Sequence, residues 1–235
     1  MIQQYYGGIA AKSAIVHQKV EFPTAPQIKE KTIYDNVPLP AMVMMWHSPA
    51  MFEEGDATAD VLSNVLSGRA DALLTKKLVY EQSLVQGVET FQYSRGRGSL
   101  FIVYIDALET TDLDQVSTIV TETLDGLAKG TTVIEEDTLR AIRNNLEMSF
   151  LWGLEDIQEK AEALQRYHHY LGQTDYVQKD LERYQAVTAE GLQSLTAQYF
   201  TTAKMSKLIV LPDPNQGDED STEGSIEDSS EGEGQ

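Results

Sequence analysis

The chain contains no cysteine among its 235 residues, which excludes disulfides, thiol nucleophiles and thiolate metal ligands. Apolar residues make up 41% of it, yet no run approaches the ~20 consecutive apolar residues that a membrane-spanning helix needs. Its start, MIQQYYGGIAAK, lacks the basic and apolar regions of a signal peptide. We therefore expect no membrane span, and these absences do not choose between cytoplasm and periplasm.

Basic residues are scarce: 18 Lys and Arg stand against 37 Asp and Glu, for a net charge of −19. Nine of the acids and no base lie in residues 213–235, which leaves −10 for residues 1–212. Because the final segment has one large apolar residue, Ile226, we predict that 213–235 is a disordered acidic tail. Such a tail either solvates the chain or docks a basic partner. The acidic body argues against nucleic acid as a partner, because phosphates would be repelled.

Histidines are few and badly spaced for a metal site. The four are His17, His47, His168 and His169, and none belongs to an H-x-x-E-H or H-E-x-x-H motif. The adjacent pair would point about 100° apart on a helix and could not share one ion without distortion. No G-x-G-x-x-G or Walker-type phosphate loop follows a strand. The residues thus predict no catalytic group and no metal ligand in this chain.

The first half of the chain predicts strands and helices in alternating pairs. Residues 1–30 contain Gly and Pro at positions that favour turns, and we predict an interdomain connector there. TIYDN and LPAMVMMWHS follow as strands, and EGDATADVLSNVLSG and RADALLTKKLVYEQ as helices. VETFQYS and SLFIVYIDA, joined by RGRG, predict an antiparallel hairpin.

The second half predicts helices and one final strand, KLIVLPD. Thr132 and Glu135 have the spacing of a capping box, and Thr188 is the predicted N-cap of the helix that follows it. Apolar residues then recur every three or four positions, which predicts one long helix, or two broken around Gly153. The stripe comprises Leu139, Ile142, Leu146, Phe150, Leu154, Ile157, Ala161, Leu164, His168 and Leu171. The whole order predicts an α+β domain over residues 31–212, an antiparallel sheet with helices packed on one face.

Three longer stretches carry a family resemblance: VPLPAMVMMWHSPA, LLTKKLVYEQSLVQGVETFQ and RNNLEMSFLWGLEDIQEKAEALQRYHHYLG. Together they resemble the insulinase/pitrilysin family of zinc metallopeptidases (inverzincins), and within it the zinc-less C-terminal half of bacterial members. In that family two homologous halves close around a peptide, and the first half holds zinc through an inverted H-x-x-E-H motif. The resemblance implies a pitrilysin-like half fold over about residues 1–212, with zinc held by an N-terminal half or partner subunit.

The resemblance also implies where substrate would be touched. Many zinc-less halves supply an Arg and a Tyr from an L-R-x-x-x-x-L-x-Y motif, and Leu78 and Leu84 match its two leucines. The Arg position is Val79 and the Tyr position is Gln86, so this chain departs from the pattern. Gln86 can still hydrogen-bond a peptide. Alternatively, the gripping role has moved to Tyr80 or to the hairpin arginines Arg95 and Arg97, or has been lost.

Two functions of different class follow from the resemblance. In the first, the chain is the non-catalytic C-terminal domain of a bacterial zinc metalloendopeptidase, cytoplasmic or periplasmic. It forms one wall of the peptide-binding chamber, and is inactive alone. In the second, it is a non-proteolytic structural or assembly subunit of the same fold, which the loss of the Arg and Tyr fits.

Overall fold

A computed structural model describes residues 1–10, 12, 13 and 29–214 of the chain. The elements of the described residues are, in chain order, α1 (Ile2–Tyr6), β1 (Glu30–Asp35), β2 (Ala41–Ser48), α2 (Asp56–Leu66), a π-helix (Thr75–Glu81), β3 (Val85–Tyr93), β4 (Ser99–Ala107), α3 (Leu113–Ala128), α4 (Glu136–Gly153), α5 (Ile157–Leu171), α6 (Val177–Gln185), α7 (Ala189–Tyr199), a 3₁₀ turn (Thr202–Lys204) and β5 (Ser206–Pro212). This arrangement confirms the predicted α+β class.

The strands form one five-stranded sheet in the order β1-β5-β2-β4-β3. The predicted hairpin is β3 and β4, and β2, β4 and β5 also pair antiparallel. The pair of β1 with β5 is parallel, which the sequence did not indicate. The final strand enters between β1 and β2, and these two strands run in opposite directions. β5 is therefore parallel to one neighbour and antiparallel to the other.

Alternation along the central strands places the core on one side of the sheet. The large, fully buried side chains of β2 and β4 are Met42, Met44, Trp46, Phe101, Val103 and Ile105. The intervening residues of the same strands are mostly half-buried, so the helices cover one face. Even the Trp46 indole is satisfied inside the core, because its Nε1 donates a hydrogen bond to the Thr201 carbonyl at 3.0 Å. Helices on one face of the sheet were predicted, and the fold confirms them.

The long apolar stripe is divided between two helices, with α4 ending at Gly153, which is the second of the two predicted alternatives. The face predicted for the second helix, α5, is wrong. Leu139 and Ile142 on α4 are buried. On α5 the buried residues are Ala163 and Tyr167, whereas Ile157 is 85% exposed. The turn between the helices restarts α5 in a new rotational phase, with Asp156 accepting hydrogen bonds from the first turn. A continuous period through the turn therefore selects the wrong face of α5.

The two predicted helix caps have different outcomes. Thr188 caps α7 by accepting a hydrogen bond from the Gly191 N–H at 3.1 Å, as predicted. The predicted capping box of Thr132 and Glu135 is wrong, because Glu135 itself is the N-cap of α4 and its side chain makes no capping hydrogen bond. The Thr132 N–H instead donates to the Gly126 carbonyl and closes the end of α3.

Two predictions fall largely outside the described residues. Residues 14–28 of the predicted connector, with His17, and residues 215–235 of the predicted acidic tail are not among those described. The boundaries 1–30, 31–212 and 213–235 stay predictions. Among residues 1–10, 12, 13 and 29–214, no helix is both long and apolar enough to cross a membrane.

Candidate functional site

The segment that carries the family motif folds as a π-helix, Thr75–Glu81, and not as the α-helix predicted across residues 69–82. Its hydrogen bonds include the five-residue step from the Gln82 N–H to the Lys77 carbonyl, at 3.2 Å. Leu78 is fully buried and Leu84 packs against the same core, which explains why both positions are leucine. π-helical turns are rare and occur frequently at functional sites. The apolar pattern cannot reveal one, because the buried side chains are those of an ordinary helix.

A groove of about 540 Å³ runs along the outer edge of β3, beside the π-helix. Its lining residues come from the π-helix, from the loop after α2 and from β3, and β4 contributes Asp106. Tyr80 and Gln86, two of the four predicted contact residues, both line it, together with Val79. Tyr80 is 63% exposed, so its hydroxyl is accessible to a bound chain. The structure therefore brings this predicted pair together.

Gln86 occupies an irregular position in β3. The pairing register passes from Val85 opposite Ala107 directly to Gly87 opposite Asp106, so Gln86 is the extra residue of a β-bulge. Bulges re-aim a side chain and are enriched beside active sites. Gln86 is exposed, as a ligand-facing residue must be.

The other predicted contacts, Arg95 and Arg97, lie in the turn between β3 and β4. Seven strand steps separate Gln86 from Tyr93 at the end of β3, which is about 23 Å at ~3.3 Å per residue, and Arg95 lies two residues further on. The Arg95 guanidinium carbon lies 4.0 Å from the centroid of the Tyr93 ring, and the Arg95 N–H donates to Ser99 Oγ at 3.0 Å. The structure does not bring these arginines to the groove.

Strand β3 is an edge strand of the sheet and pairs with β4 on one side. No strand pairs with its outer side among residues 1–10, 12, 13 and 29–214. An unpaired edge presents backbone N–H and C=O groups that can accept a further extended chain. The groove therefore combines a backbone template with nearby polar side chains, which suits a peptide.

A second polar feature, missed by the sequence reasoning, joins α2 to α6. We call Asp56, Asp60, Asp180, Arg183 and Tyr184 the α2–α6 charge cluster. The Arg183 guanidinium lies 2.7 Å from an oxygen of Asp56 and 2.6 Å from an oxygen of Asp180. Tyr184 donates its hydroxyl to Asp60 Oδ2 at 2.8 Å. The available signal was two acids one helical turn apart, Asp56 and Asp60, on a helix whose other buried residues are mostly apolar.

Burial and the density of acids shift the protonation of this cluster. Burial raises the pKa of Asp60 to about 7; the hydrogen bond from Tyr184 opposes the shift, and the charge of Asp56 adds to it. Burial also raises the pKa of Tyr184, and Asp60 adds to that shift. Burial alone would lower the pKa of Arg183, but its hydrogen bond to Asp56 raises it. Arg183 thus stays charged and holds α6 against α2.

The described residues do not fit a zinc ion. His47 lies on β2, and His168 and His169 lie in the last turn of α5. No group of three or more His, Asp or Glu in residues 1–10, 12, 13 and 29–214 is arranged to hold a metal. Within this part of the chain no step of metal chemistry can be assigned.

In comparison with protein families, residues 1–146 match the model of the peptidase M16 inactive domain. No protein of curated function matches the chain.

Solved structures share the fold at low sequence identity. A protease from Helicobacter pylori is 16% identical with a TM-score of 0.78, over 89% of this chain and 51% of that one. A peptidase M16 inactive domain from Pseudomonas fluorescens is 15% identical with a TM-score of 0.68, over 85% of this chain and 47% of that one. A chain of complex III from Candida albicans is 11% identical with a TM-score of 0.65, over 77% and 45%. This chain therefore spans about half the length of these proteins.

Proposed function

Since the chain belongs to the family of peptidase M16 inactive domains, we propose that it forms one wall of the chamber in which a zinc metallopeptidase holds its peptide substrate. Zinc and the water-activating base come from a separate catalytic half. That half is an N-terminal region of the same protein or a partner subunit. This chain binds and positions the peptide and performs no bond cleavage itself.

The groove beside β3 carries this proposal. An extended peptide added to the free edge would form main-chain hydrogen bonds with β3, independent of peptide sequence. Gln86, on its bulge, and Tyr80, on the π-helix, would contact the same peptide. Holding the substrate extended fixes the scissile bond relative to a catalytic group on the opposite wall, which lowers the entropic barrier to reaction.

Two substitutions test this wall. Tyr80→Ala and Gln86→Ala should each weaken binding of a fluorescein-labelled, unstructured nine-residue peptide, matched to the nine residues of β3. Loss of one hydrogen bond predicts a weakening of about 2- to 10-fold, measured by fluorescence anisotropy. Tyr34→Ala is the matched control, because Tyr34 is also 63% exposed but lies on β1, at the opposite edge of the sheet. Equal effects of the Tyr80 and Tyr34 substitutions would contradict the proposal.

A second function, a non-proteolytic structural subunit, has two observations in its favour. Val79 and Gln86 stand where the family motif has an Arg and a Tyr. The fold is also shared with a chain of complex III from Candida albicans. The gene sequence upstream of residue 1, and the neighbouring gene, separate the two functions. An H-x-x-E-H motif with a downstream Glu favours the peptidase, and its absence from both favours the structural subunit.

A further inference from the structure

A cavity of about 300 Å³ lies behind β3, between α2, α4, α5 and α6. Its apolar walls are Phe91, Leu146, Phe150, Leu181 and the ring of Tyr184. Three of these side chains, Leu146, Phe150 and Leu181, are half-buried, and Phe91 is 41% exposed. The volume is at the lower end of the range for small-molecule sites. The cavity therefore fits a group about the size of one large side chain.

The polar side chains that α2 contributes to this cavity already form hydrogen bonds within the protein. Ser63 Oγ and Asn64 Nδ2 donate to the Asp60 carbonyl at 2.7 and 3.0 Å. The Asp60 carboxyl in turn accepts from the Tyr184 hydroxyl at 2.8 Å. A polar ligand would have to compete for groups that are already bonded, so it would gain little by entering.

The charged side chains of α4, α5 and α6 that line the cavity also have partners or lie in solvent. Asp180 forms an ion pair with Arg183, at 2.6 Å between Oδ1 and Nη1. Glu147 Oε2 accepts a hydrogen bond from Gln185 Nε2 at 2.6 Å. Arg166 is exposed, so water solvates its charge. A charged ligand would lose its hydration to meet groups that are already engaged, and the cavity therefore favours an uncharged, apolar group.

The cavity and the β3 groove meet at Phe91. The groove is lined by β3 from Gln86 to Phe91, and the cavity by Phe91 and Gln92. A chain that runs along the free edge of β3 therefore passes the groove and then the cavity. Five strand positions separate Gln86 from Phe91, about 17 Å at ~3.3 Å per residue. Every second side chain of an added strand points to the helix side of the sheet, where the cavity lies.

We propose that this cavity is a specificity pocket for one large apolar side chain, such as Phe, Leu or Met, of the peptide bound along β3. This inference rests on the function proposed above. It narrows the substrate class to extended peptides that carry such a residue about five positions from the residue that contacts Gln86. Phe150 on α4 and Leu181 on α6 pack against the side chain, and Phe91 contacts it from β3. Burial of the side chain adds sequence preference to main-chain hydrogen bonds that have none.

The test titrates the full 235-residue chain into fluorescein-labelled nine-residue peptides of alanine and serine, followed by fluorescence anisotropy. Each peptide has Phe, Ala or Lys at one position near either end, since an added strand can run in either direction. The best Phe peptide should bind at least about tenfold more tightly than its Ala counterpart, because it buries a large apolar side chain. Equal affinity of the Phe and Ala peptides, or tightest binding by a Lys peptide, would overturn the pocket and leave the peptide wall standing. If no peptide bound saturably, both proposals would be overturned.

Leu181→Trp is the decisive variant, because the larger side chain fills the cavity from α6. It should abolish the advantage of the Phe peptide and leave binding of the Ala peptide unchanged, which also shows that the variant folds. Leu151→Trp makes the same change on α4, at a side chain that is 39% exposed and does not line the cavity, and should keep the advantage. Photo-leucine in place of Phe requires no change in the chain and should cross-link to α4 and α6. A Phe advantage that persists in Leu181→Trp, or cross-links that miss both helices, would overturn the proposal.

Discussion

Replacing Asp60 with Asn should stabilise the protein at neutral and alkaline pH, although it removes a charged residue from a hydrogen bond. Burial raises the pKa of the Asp60 carboxyl from 3.8 to about 7 in the folded state. Below pH 4 the carboxyl is protonated in both states and contributes nothing. Between pH 4 and 7 only the unfolded state releases the proton, so stability falls as pH rises. Above pH 7 the full penalty is present.

The magnitude follows from the size of that shift. About three pKa units at 1.36 kcal/mol each give roughly 4 kcal/mol as an upper value. Asp60 lines a cavity that water can enter, and screening by this water reduces the penalty, so we expect about 2–4 kcal/mol. Asparagine avoids this penalty because it is neutral at every pH and still accepts from the Tyr184 hydroxyl. The variant should equal the wild type near pH 4 and exceed its stability by that amount at pH 8.

Urea denaturation from pH 4 to 8.5 checks this, with the difference in unfolding free energy plotted against pH. Subtracting the unfolding free energy of the wild type from that of the variant removes the contribution of the other carboxyls, because both proteins share them. Glu122→Gln, exposed on α3, should give a flat and small difference. If Asp60→Asn also gave a flat difference, or destabilised the protein at pH 8, the assignment of Asp60 as an acid whose pKa is raised by burial would be refuted.

Two further changes test the packing. Arg183→Met should destabilise the protein by about 3–5 kcal/mol in urea denaturation, because it leaves Asp56 and Asp180 buried without their cation. Arg140→Met, which breaks only an exposed pair with Asp137, should change stability by less than about 1 kcal/mol. Leu139→Ala should cost about 2–5 kcal/mol and Ile157→Ala little, since the first is buried and the second is 85% exposed. Equal effects at the two positions would contradict the corrected face of α5.

Local patterns predicted the parts of the fold that local interactions determine. The β3–β4 hairpin follows from two apolar runs joined by a short glycine loop, and the cap of α7 from Thr188. The break at Gly153 was also visible. These features depend on residues within a few positions of one another, so a single sequence contains their cause.

Features formed at long range could not be predicted in this way. Arg183 meets Asp56 across 127 positions, and nothing near either residue indicates the other. The parallel pairing of β1 with β5 also joins the two ends of the domain. The exposure of Ile157 depends on how α5 restarts after a turn. In each case tertiary packing decides among arrangements that the local pattern allows equally.

The candidate site was predicted in part, and through resemblance more than through chemistry. Tyr80 and Gln86 share one groove, but neither the π-helix nor the bulge at Gln86 leaves a mark in apolar spacing. Asp60 could have been noticed as an acid on an apolar helix. Its partner Tyr184 and the cavity between them required the fold.

Reconstitution of peptide cleavage tests the central claim most directly. A catalytic half that carries the H-x-x-E-H motif is incubated with a quenched fluorogenic peptide, and the rate of cleavage is measured. Addition of this chain should raise kcat/KM for the peptide, because closing the second wall positions the substrate and excludes water. The gain should be reduced by Tyr80→Ala and Gln86→Ala and kept by Tyr34→Ala. The contrary result is a cleavage rate that does not change at a saturating concentration of this chain, although gel filtration shows that the complex forms. That result would contradict a role for this domain in holding the substrate.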